Sequence, residues 1–239
     1  MAKKKPHLRL VPKKVSTKSA LDPWLAQFVD VSNDEAIELL SRTFETATES
    51  WLKPLCQKML RCPITTIVQN KWLRIQSVEK IEIHGEKMPY EYHLQPPIDT
   101  KTIQACLKPL CFDKHPAIAR FLQYFNGFRE SEPQMAGGFV DVRKWKIIKK
   151  SENSWFNSET KGLEEWSGSV EFFDARNGDL VILHPSGRTA WFDHEENLIR
   201  DPIPSLEIFV QSYATYLDYN WPYDSWGPPD HVLHPERRY

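Results

Sequence analysis

The sequence predicts an α+β fold, in which a helix and a β-meander precede a second region of helices and strands. Three observations lead to this class. Apolar residues recur at helical spacing in segments 37–51, 118–125 and 206–217. Other segments are β-branched or alternate between apolar and polar residues, which is typical of strands. Hydrophobic residues make up 41% of the 239-residue chain, so a globular core of one large or two small domains is expected.

The first half contains the predicted helix and the meander. Ser32 and Glu35 have the spacing of a capping box, so the helix is expected to begin there. Pro54 should break or kink the helical run that extends from residue 37 to residue 51. Residues 64–95 then alternate in strand fashion, with a glycine at position 85, and are interpreted as a small β-meander.

Turn signals divide the second half into short elements. Pro116 suits the first turn of an apolar helix, and Asn126-Gly127 supplies its stop. Residues 150–167 are interpreted as a polar loop, and Ser205 as the cap of a last helix. The predicted strands are 137–142, 145–148, 169–174, 179–184 and 188–193.

These elements suggest three regions along the chain. Residues 1–20 are predicted to be a disordered basic tail, because a Lys-rich segment buries little apolar surface. Residues 21–97 form the N-terminal helical and meander extension. Residues 98–239 form the main α+β domain, which ends in an aromatic tail expected to pack irregularly on the body.

Charge is distributed unevenly between these regions. Seven basic residues precede the first acid, Asp22, whereas the remaining 24 basic residues accompany all 32 acidic ones, which leaves the body at −8. An acidic body favours basic partners. Nucleic-acid contact is expected only through the basic tail, whose alternative interpretations are an anionic-lipid contact or a localisation signal.

The cysteines and the hydropathy indicate a reduced, cytoplasmic protein. The spacings Cys56-x5-Cys62 and Cys106-x4-Cys111 lack the tight paired knuckles of a zinc site. Reduced, mostly buried thiols are therefore predicted. No run approaches the ~18 apolar residues of a membrane span, and the start of the chain lacks the apolar stretch of a signal peptide.

Catalytic signatures are weak throughout. The densest polar cluster is Asp193-His194-Glu195-Glu196, but neighbours on an extended chain point to opposite faces, so a charged turn is favoured over a site. The run His184-Pro185-Ser186-Gly187 lacks a nucleophile elbow and is explained by a hairpin turn. We predict no catalytic residue, no metal site and no cofactor.

An ordered set of motifs does stand out in residues 99–218. An apolar helix ends in Phe-Asn-Gly at 125–127, and a Gly-Phe-Val-Asp strand follows at 138–141. A strand then ends in Trp-Phe-Asp-His-Glu at 191–195, before a Phe-containing helix from Ser205. This order resembles the SUKH superfamily, which includes the fungal Smi/Knr cell-wall regulators.

The resemblance implies a mainly antiparallel sheet flanked by helices. It also implies a non-enzymatic protein-binding role, because bacterial relatives are often immunity proteins that neutralise toxins, many of them nucleases. The candidate partner contacts are Trp191, Asp193, His194, Glu195 and Glu196. The candidate turn formers are Asn126, Gly127, Gly178, Asp179 and Gly187.

Three functional hypotheses follow. The first is an immunity protein that binds a basic toxin without inserting into a membrane. The second is a regulatory scaffold of the same family that is not linked to a toxin. The third is an unrecognised hydrolase that uses His184, Asp193, His194 and Glu195.

Overall fold

The computed structural model describes residues 21–62, 64–69, 71–83, 86–130, 137–150, 155–175 and 178–219. The predicted tail 1–20, the residues after 219 and the turn residue Asn177 lie outside these ranges. The helices are α1 Pro23–Ala26, α2 Asn33–Glu45, α3 Lys53–Leu60, α4 Thr100–Leu107, α5 Pro116–Phe125 and α6 Leu206–Tyr219. The strands are β1 Ile64–Val68, β2 Trp72–Ile83, β3 Glu86–Leu94, β4 Arg129–Glu130, β5 Gly138–Phe139, β6 Val170–Asp174, β7 Leu180–Leu183, β8 Thr189–Asp193 and β9 Leu198–Ile203.

The strands that the structure describes form a single sheet in simple chain order. Each strand pairs with its neighbours in sequence, from β1 to β9, and every pair is antiparallel. The predicted α+β class, including the antiparallel sheet with helices, is confirmed. The sheet runs without interruption across the predicted boundary after residue 97, because Tyr92 and His93 of β3 pair with Glu130 and Arg129 of β4.

Local sequence signals explain where the first helices begin and end. The Ser32 hydroxyl accepts a hydrogen bond from the Glu35 amide, and the Glu35 carboxylate accepts one from the Ser32 amide at 2.7 Å. The predicted capping box of α2 is thus confirmed. Pro54 occupies the first turn of α3, where its missing N–H costs no helical bond, so the proline starts a new helix after the break.

Two hydrophobic clusters occupy the two faces of the sheet. Successive residues of a strand point to opposite faces, and β7 alternates between the clusters accordingly. Val181 and Leu183 join the large core beneath the helices, whereas Leu180 and Ile182 join a smaller cluster on the other face. Residues 155–168 cover that second face, which is why all of β7 is buried.

The described part of segment 150–167 is a loop, as predicted, but the prediction that the loop is polar is wrong. Phe156, Leu163 and Trp166 are buried and pack against β7, β8 and β9. The segment is irregular in backbone but apolar in the side chains that face the sheet. It therefore forms a cover layer for the sheet.

Two strand predictions also differ from the structure. The segment 145–148 makes only an isolated bridge at Ile147, because a turn over Val142–Lys144 precedes it and the Trp145 indole donates to the Val140 carbonyl at 3.0 Å. Conversely, the sequence did not predict β9, because Pro202 was interpreted as a break between elements. Proline is tolerated there because β9 is an edge strand.

The cysteines are all free. Cys56 and Cys62 are buried as predicted, Cys106 is partly buried, and Cys111 is exposed, which the prediction missed. Burial raises the pKa of the Cys56 thiol to about 12. That thiol is protonated at neutral pH and acts as a small apolar side chain.

The prediction that α5 ends at Asn126-Gly127 is confirmed, and these two residues form an ordered turn. The Asn126 side-chain oxygen accepts a hydrogen bond from the Val142 amide at 2.8 Å, and Gly127 has φ +71°. A Cβ atom at Gly127 would lie 2.6 Å from Cδ of Gln95. The side-chain oxygen Oε1 of Gln95 in turn accepts a hydrogen bond from Arg143 at 3.2 Å, so the turn ties α5 to the sheet.

Replacing Gly127 by alanine is expected to lower the free energy of unfolding by about 2 kcal/mol. The left-handed backbone costs a Cβ-bearing residue roughly 1–2 kcal/mol, and displacement of Gln95 adds to it. Urea unfolding measures the change. Adding Gln95→Ala to Gly127→Ala should restore only the part of the lost stability that comes from the clash with Gln95. A Gly127→Ala protein as stable as the parent would contradict this account.

Candidate binding surface

The predicted site residues fall at the two ends of the β7–β8 hairpin. Leu183 pairs with Thr189 at the end that carries the 184–188 turn, and Leu180 pairs with Phe192 at the other. At about 3.4 Å per residue, the two ends are separated by roughly 10 Å along the strands. The hairpin therefore separates His184 from the Asp193–Glu196 cluster.

Asp179 organises the end of the hairpin that carries His194. Its carboxylate is buried and accepts the indole N–H of Trp191 at 3.0 Å, the backbone N–H of His194 at 3.0 Å, and the Nδ1–H of His194 at 2.8 Å. Because the carboxylate accepts, Nδ1 is the protonated nitrogen of the imidazole. The ring is therefore held in one orientation, packed on Gly178 (φ +100°), where an added Cβ would lie within 3.2 Å of it.

Asp193 shapes the turn that follows β8. Its Oδ1 accepts the backbone N–H groups of Glu195 and Glu196, both at 3.0 Å, and its Oδ2 forms a 2.8 Å ion pair with Arg200. A carboxylate that caps two amides in this way holds a tight turn. The side chains of Glu195 and Glu196 are exposed as a result.

A second segment is fastened to the same turn. The hydroxyl of Thr160 donates to the side-chain oxygen of Asn197 at 2.7 Å, and the Asn197 amide donates to Asn157 at 3.0 Å. Two residues earlier, Trp155 is 57% exposed, and its ring meets the His194 ring edge-on at 5.8 Å between centroids. A large aromatic side chain thus stands beside His194, the residue that precedes the two glutamates.

We call the side chains of Trp155, His194, Glu195 and Glu196 the acidic turn surface. An exposed indole can bind a lysine or arginine side chain by cation–π attraction, and the two exposed carboxylates after His194 can bind one by ion pairing. Because the hydrogen bonds of Asp179 and Asp193 already hold the backbone of this turn, less conformational entropy is lost when a partner binds. The surface is therefore chemically complementary to a basic partner.

The predicted contacts divide into supports and exposed groups. Trp191 and Asp193 are buried, and their polar atoms are engaged with Asp179 and Arg200, so they support the turn from below. His194 is partly exposed. The predicted turn formers Gly178 and Gly187 have positive φ, whereas Asp179 is the buried acceptor that anchors the surface.

The residues of the hydrolase hypothesis do not converge. His184 accepts the Ser186 amide at 3.0 Å and lies 2.7 Å from the Ser186 hydroxyl, which is a local turn contact. Burial, and then the charge of Arg188, lower the pKa of His184. Asp193, His194 and Glu195 lie at the opposite end of the hairpin, so these groups do not form one catalytic constellation.

Sequence reasoning missed Trp155 as a surface residue, because the whole segment around it was taken as polar. The signal that was available is the density of aromatic residues, since Trp155, Phe156 and Trp166 all fall in one short segment. Two of them cover the sheet, and the third is left exposed beside His194.

The described part of the chain contains neither a cluster of metal-ligating side chains nor a helix that could span a membrane. No group of three or more histidine, cysteine, aspartate or glutamate side chains there is arranged to hold a metal ion, and none of its helices is both long and apolar enough to cross a membrane. In comparisons with known proteins, no family model, no curated protein and no solved structure matches this chain.

Proposed function

We propose that this chain is a non-enzymatic binding protein of the SUKH type, and that it neutralises a basic toxin, such as a nuclease, by direct contact. The observation that carries the proposal is the acidic turn surface, where an exposed tryptophan packs against His194 and two exposed glutamates follow His194 in the chain. Tight protein interfaces commonly combine an aromatic anchor with a charged rim. The proposal gives this surface a function in recognition.

The layout of the second half supports the family assignment within the proposal. α5 ends in Asn126-Gly127, β5 begins at Gly138, and β8 leads into the acidic turn before α6. This is the order of elements that the resemblance implies, with an antiparallel sheet and flanking helices. The order of the elements is the reason for proposing the SUKH type. The chemistry of the acidic turn surface is the reason for proposing a basic partner.

Charge supports the choice of a basic partner. The chain from residue 21 onward carries a net charge of −8, which accelerates encounters with cationic proteins at low salt. Nucleases that bind phosphate backbones carry clusters of lysine and arginine. A turn that presents two carboxylates and an indole competes for those same cationic side chains.

Reversing both charges of the acidic turn surface should abolish the protection. We expect Glu195→Lys/Glu196→Lys to weaken toxin binding about 100-fold, because two attractive contacts become repulsive and such desolvated charge pairs are each worth more than 1 kcal/mol. The assay co-expresses the chain with candidate cytotoxic nucleases, chosen from toxin-like genes that neighbour its own. Cell survival and the dissociation constant of the purified pair are measured.

The matched control carries the same change in net charge elsewhere. Glu164 and Glu165 are also adjacent and exposed, but Glu165 pairs with Arg188, at the opposite end of the hairpin. Glu164→Lys/Glu165→Lys should therefore keep most of the binding. If the parent chain forms no complex with the toxin, or if both double variants bind equally well, the proposed function fails.

A further inference from the structure

The turn between β7 and β8 is joined to the cover layer, residues 155–168, by one imidazole ring. His184, which opens the turn, is partly buried, and its ring meets the Trp166 ring edge-on at 5.9 Å between centroids. An added Cβ at Gly168, the last residue of the cover layer, would lie 3.5 Å from Cγ of Pro185. The end of the cover layer therefore packs directly on the turn.

The hydrogen bonds of His184 fix which of its ring nitrogens carries the proton. Nδ1 lies 3.0 Å from the Ser186 amide nitrogen, and because an amide N–H can only donate, Nδ1 must accept. The Ser186 hydroxyl lies 2.7 Å from Nδ1 and accepts from Nε of Arg188 at 3.4 Å, which directs its own proton to Nδ1. The other ring nitrogen, Nε2, then carries the hydrogen and donates to the Ser167 carbonyl. The ring is neutral in this arrangement.

The charged and titratable groups that face this ring come from three neighbouring elements. Arg188 directly precedes β8, and its Nη1 lies 3.2 Å from a carboxylate oxygen of Glu165 in the cover layer. His115 is the N-cap of α5, and an added Cβ at Gly187 would lie 3.3 Å from its Nδ1. Arg188 and His115 oppose a positive charge on His184, whereas Glu165 favours one.

We propose that the neutral imidazole of His184 is a clasp that holds the cover layer on the β7–β8 turn, and that protonation of its Nδ1 opens the clasp. A protonated Nδ1 carries a hydrogen that points at the Ser186 amide hydrogen, so two donors face each other and the bond is lost. Because the ring is rigid, its rotation away from Ser186 also withdraws it from the Ser167 carbonyl and from Trp166. The end of the cover layer then separates from the turn. The clasp is independent of the proposed toxin binding, because the acidic turn surface lies at the opposite end of the hairpin.

The pKa of His184 supports the clasp. Burial, and then the charge of Arg188, hold this pKa below the ordinary value of 6.5. Because the closed form has the lower pKa, its stabilisation is complete above pH 6.5 and is lost as the pH falls from 6.5 towards the lower value. Within that window, the additional proton bound by the open form raises the opening constant by up to about tenfold per pH unit.

Nitrogen-15 NMR of the full chain tests the clasp. At pH 7.5, the ring nitrogen shifts of His184 are expected to show the tautomer with hydrogen on Nε2. From pH 7.5 to pH 5, nuclear Overhauser contacts between the His184 and Trp166 rings should weaken. Protection of the Ser186 amide, corrected for intrinsic exchange rates, should fall by up to about tenfold per pH unit. A tautomer with hydrogen on Nδ1, or contacts and protection that stay constant over this range, overturns the clasp.

His184→Asn should keep the turn and remove the titration. The asparagine side-chain oxygen takes the position of Nδ1 and can accept the Ser186 amide two residues on, as in an Asx turn. Protection of that amide should therefore stay constant with pH. His93→Asn, on β3, is the matched control and should respond like the parent. Equal pH dependence in the parent and in His184→Asn overturns the clasp, and the tautomer of the parent chain decides the question even where this variant does not fold.

Discussion

Replacing Phe139 by alanine is expected to lower the free energy of unfolding by about 4 kcal/mol, because deletion of a fully buried phenylalanine leaves a cavity. Phe139 is 2% exposed and stands at the centre of the aromatic core. Its ring contacts Phe121 at 4.6 Å and Phe172 at 5.2 Å between centroids. Phe209 of α6 meets it at 6.3 Å, so this ring connects α5, the sheet and α6.

Urea unfolding followed by far-ultraviolet circular dichroism measures this loss. The control is Trp155→Ala, which removes a larger ring that is mostly in water, and surface changes of this kind usually cost within about 0.5 kcal/mol. Similar losses in the two variants would show that the aromatic core is not the main source of stability.

The second large effect is expected for Asp179→Ala, at about 3 kcal/mol. The substitution leaves the buried indole N–H of Trp191 without its acceptor and frees the backbone and ring N–H groups of His194. Buried donors that lose a partner cost about 1–3 kcal/mol each when water cannot replace it. Because these bonds also orient the turn, toxin binding should weaken together with stability.

Glu195→Ala is the matched control for that experiment. Its backbone amide still donates to Asp193, and only an exposed carboxylate is removed, so stability should stay within about 0.5 kcal/mol of the parent. Thermal and urea unfolding of both variants decide the point. Were Asp179→Ala as stable as Glu195→Ala, the buried carboxylate would not be what anchors the acidic turn surface.

The two experiments distinguish residues that stabilise the turn from residues that contact the proposed partner. Asp179 and Trp191 act from inside the protein, whereas Glu195, Glu196 and Trp155 stand in water. A variant of the first group is expected to lose stability and binding together. A variant of the second group is expected to lose binding alone, which distinguishes a recognition defect from a folding defect.

Much of the local structure was predictable because it depends on neighbours in sequence. The capping box of Ser32 and Glu35, the helix start at Pro116 and the stop at Gly127 are all set by backbone preferences of single residues. The acidic cluster after β8 was also correctly interpreted as a charged turn. Its structural basis, one carboxylate capping two amides, is equally local.

By itself the sequence determined the class of fold, the starts of α2 and α5, the end of α5 and the position of the acidic turn, because turn chemistry and apolar periodicity act over a few residues. Only the tertiary structure decided that Trp191 is buried, that Trp155 is exposed beside His194, and that Glu130 is buried against Tyr213. These features depend on contacts between residues up to 83 positions apart, such as Tyr213 with Glu130. Strand alternation shows that two faces exist, but packing against other elements determines which face is covered.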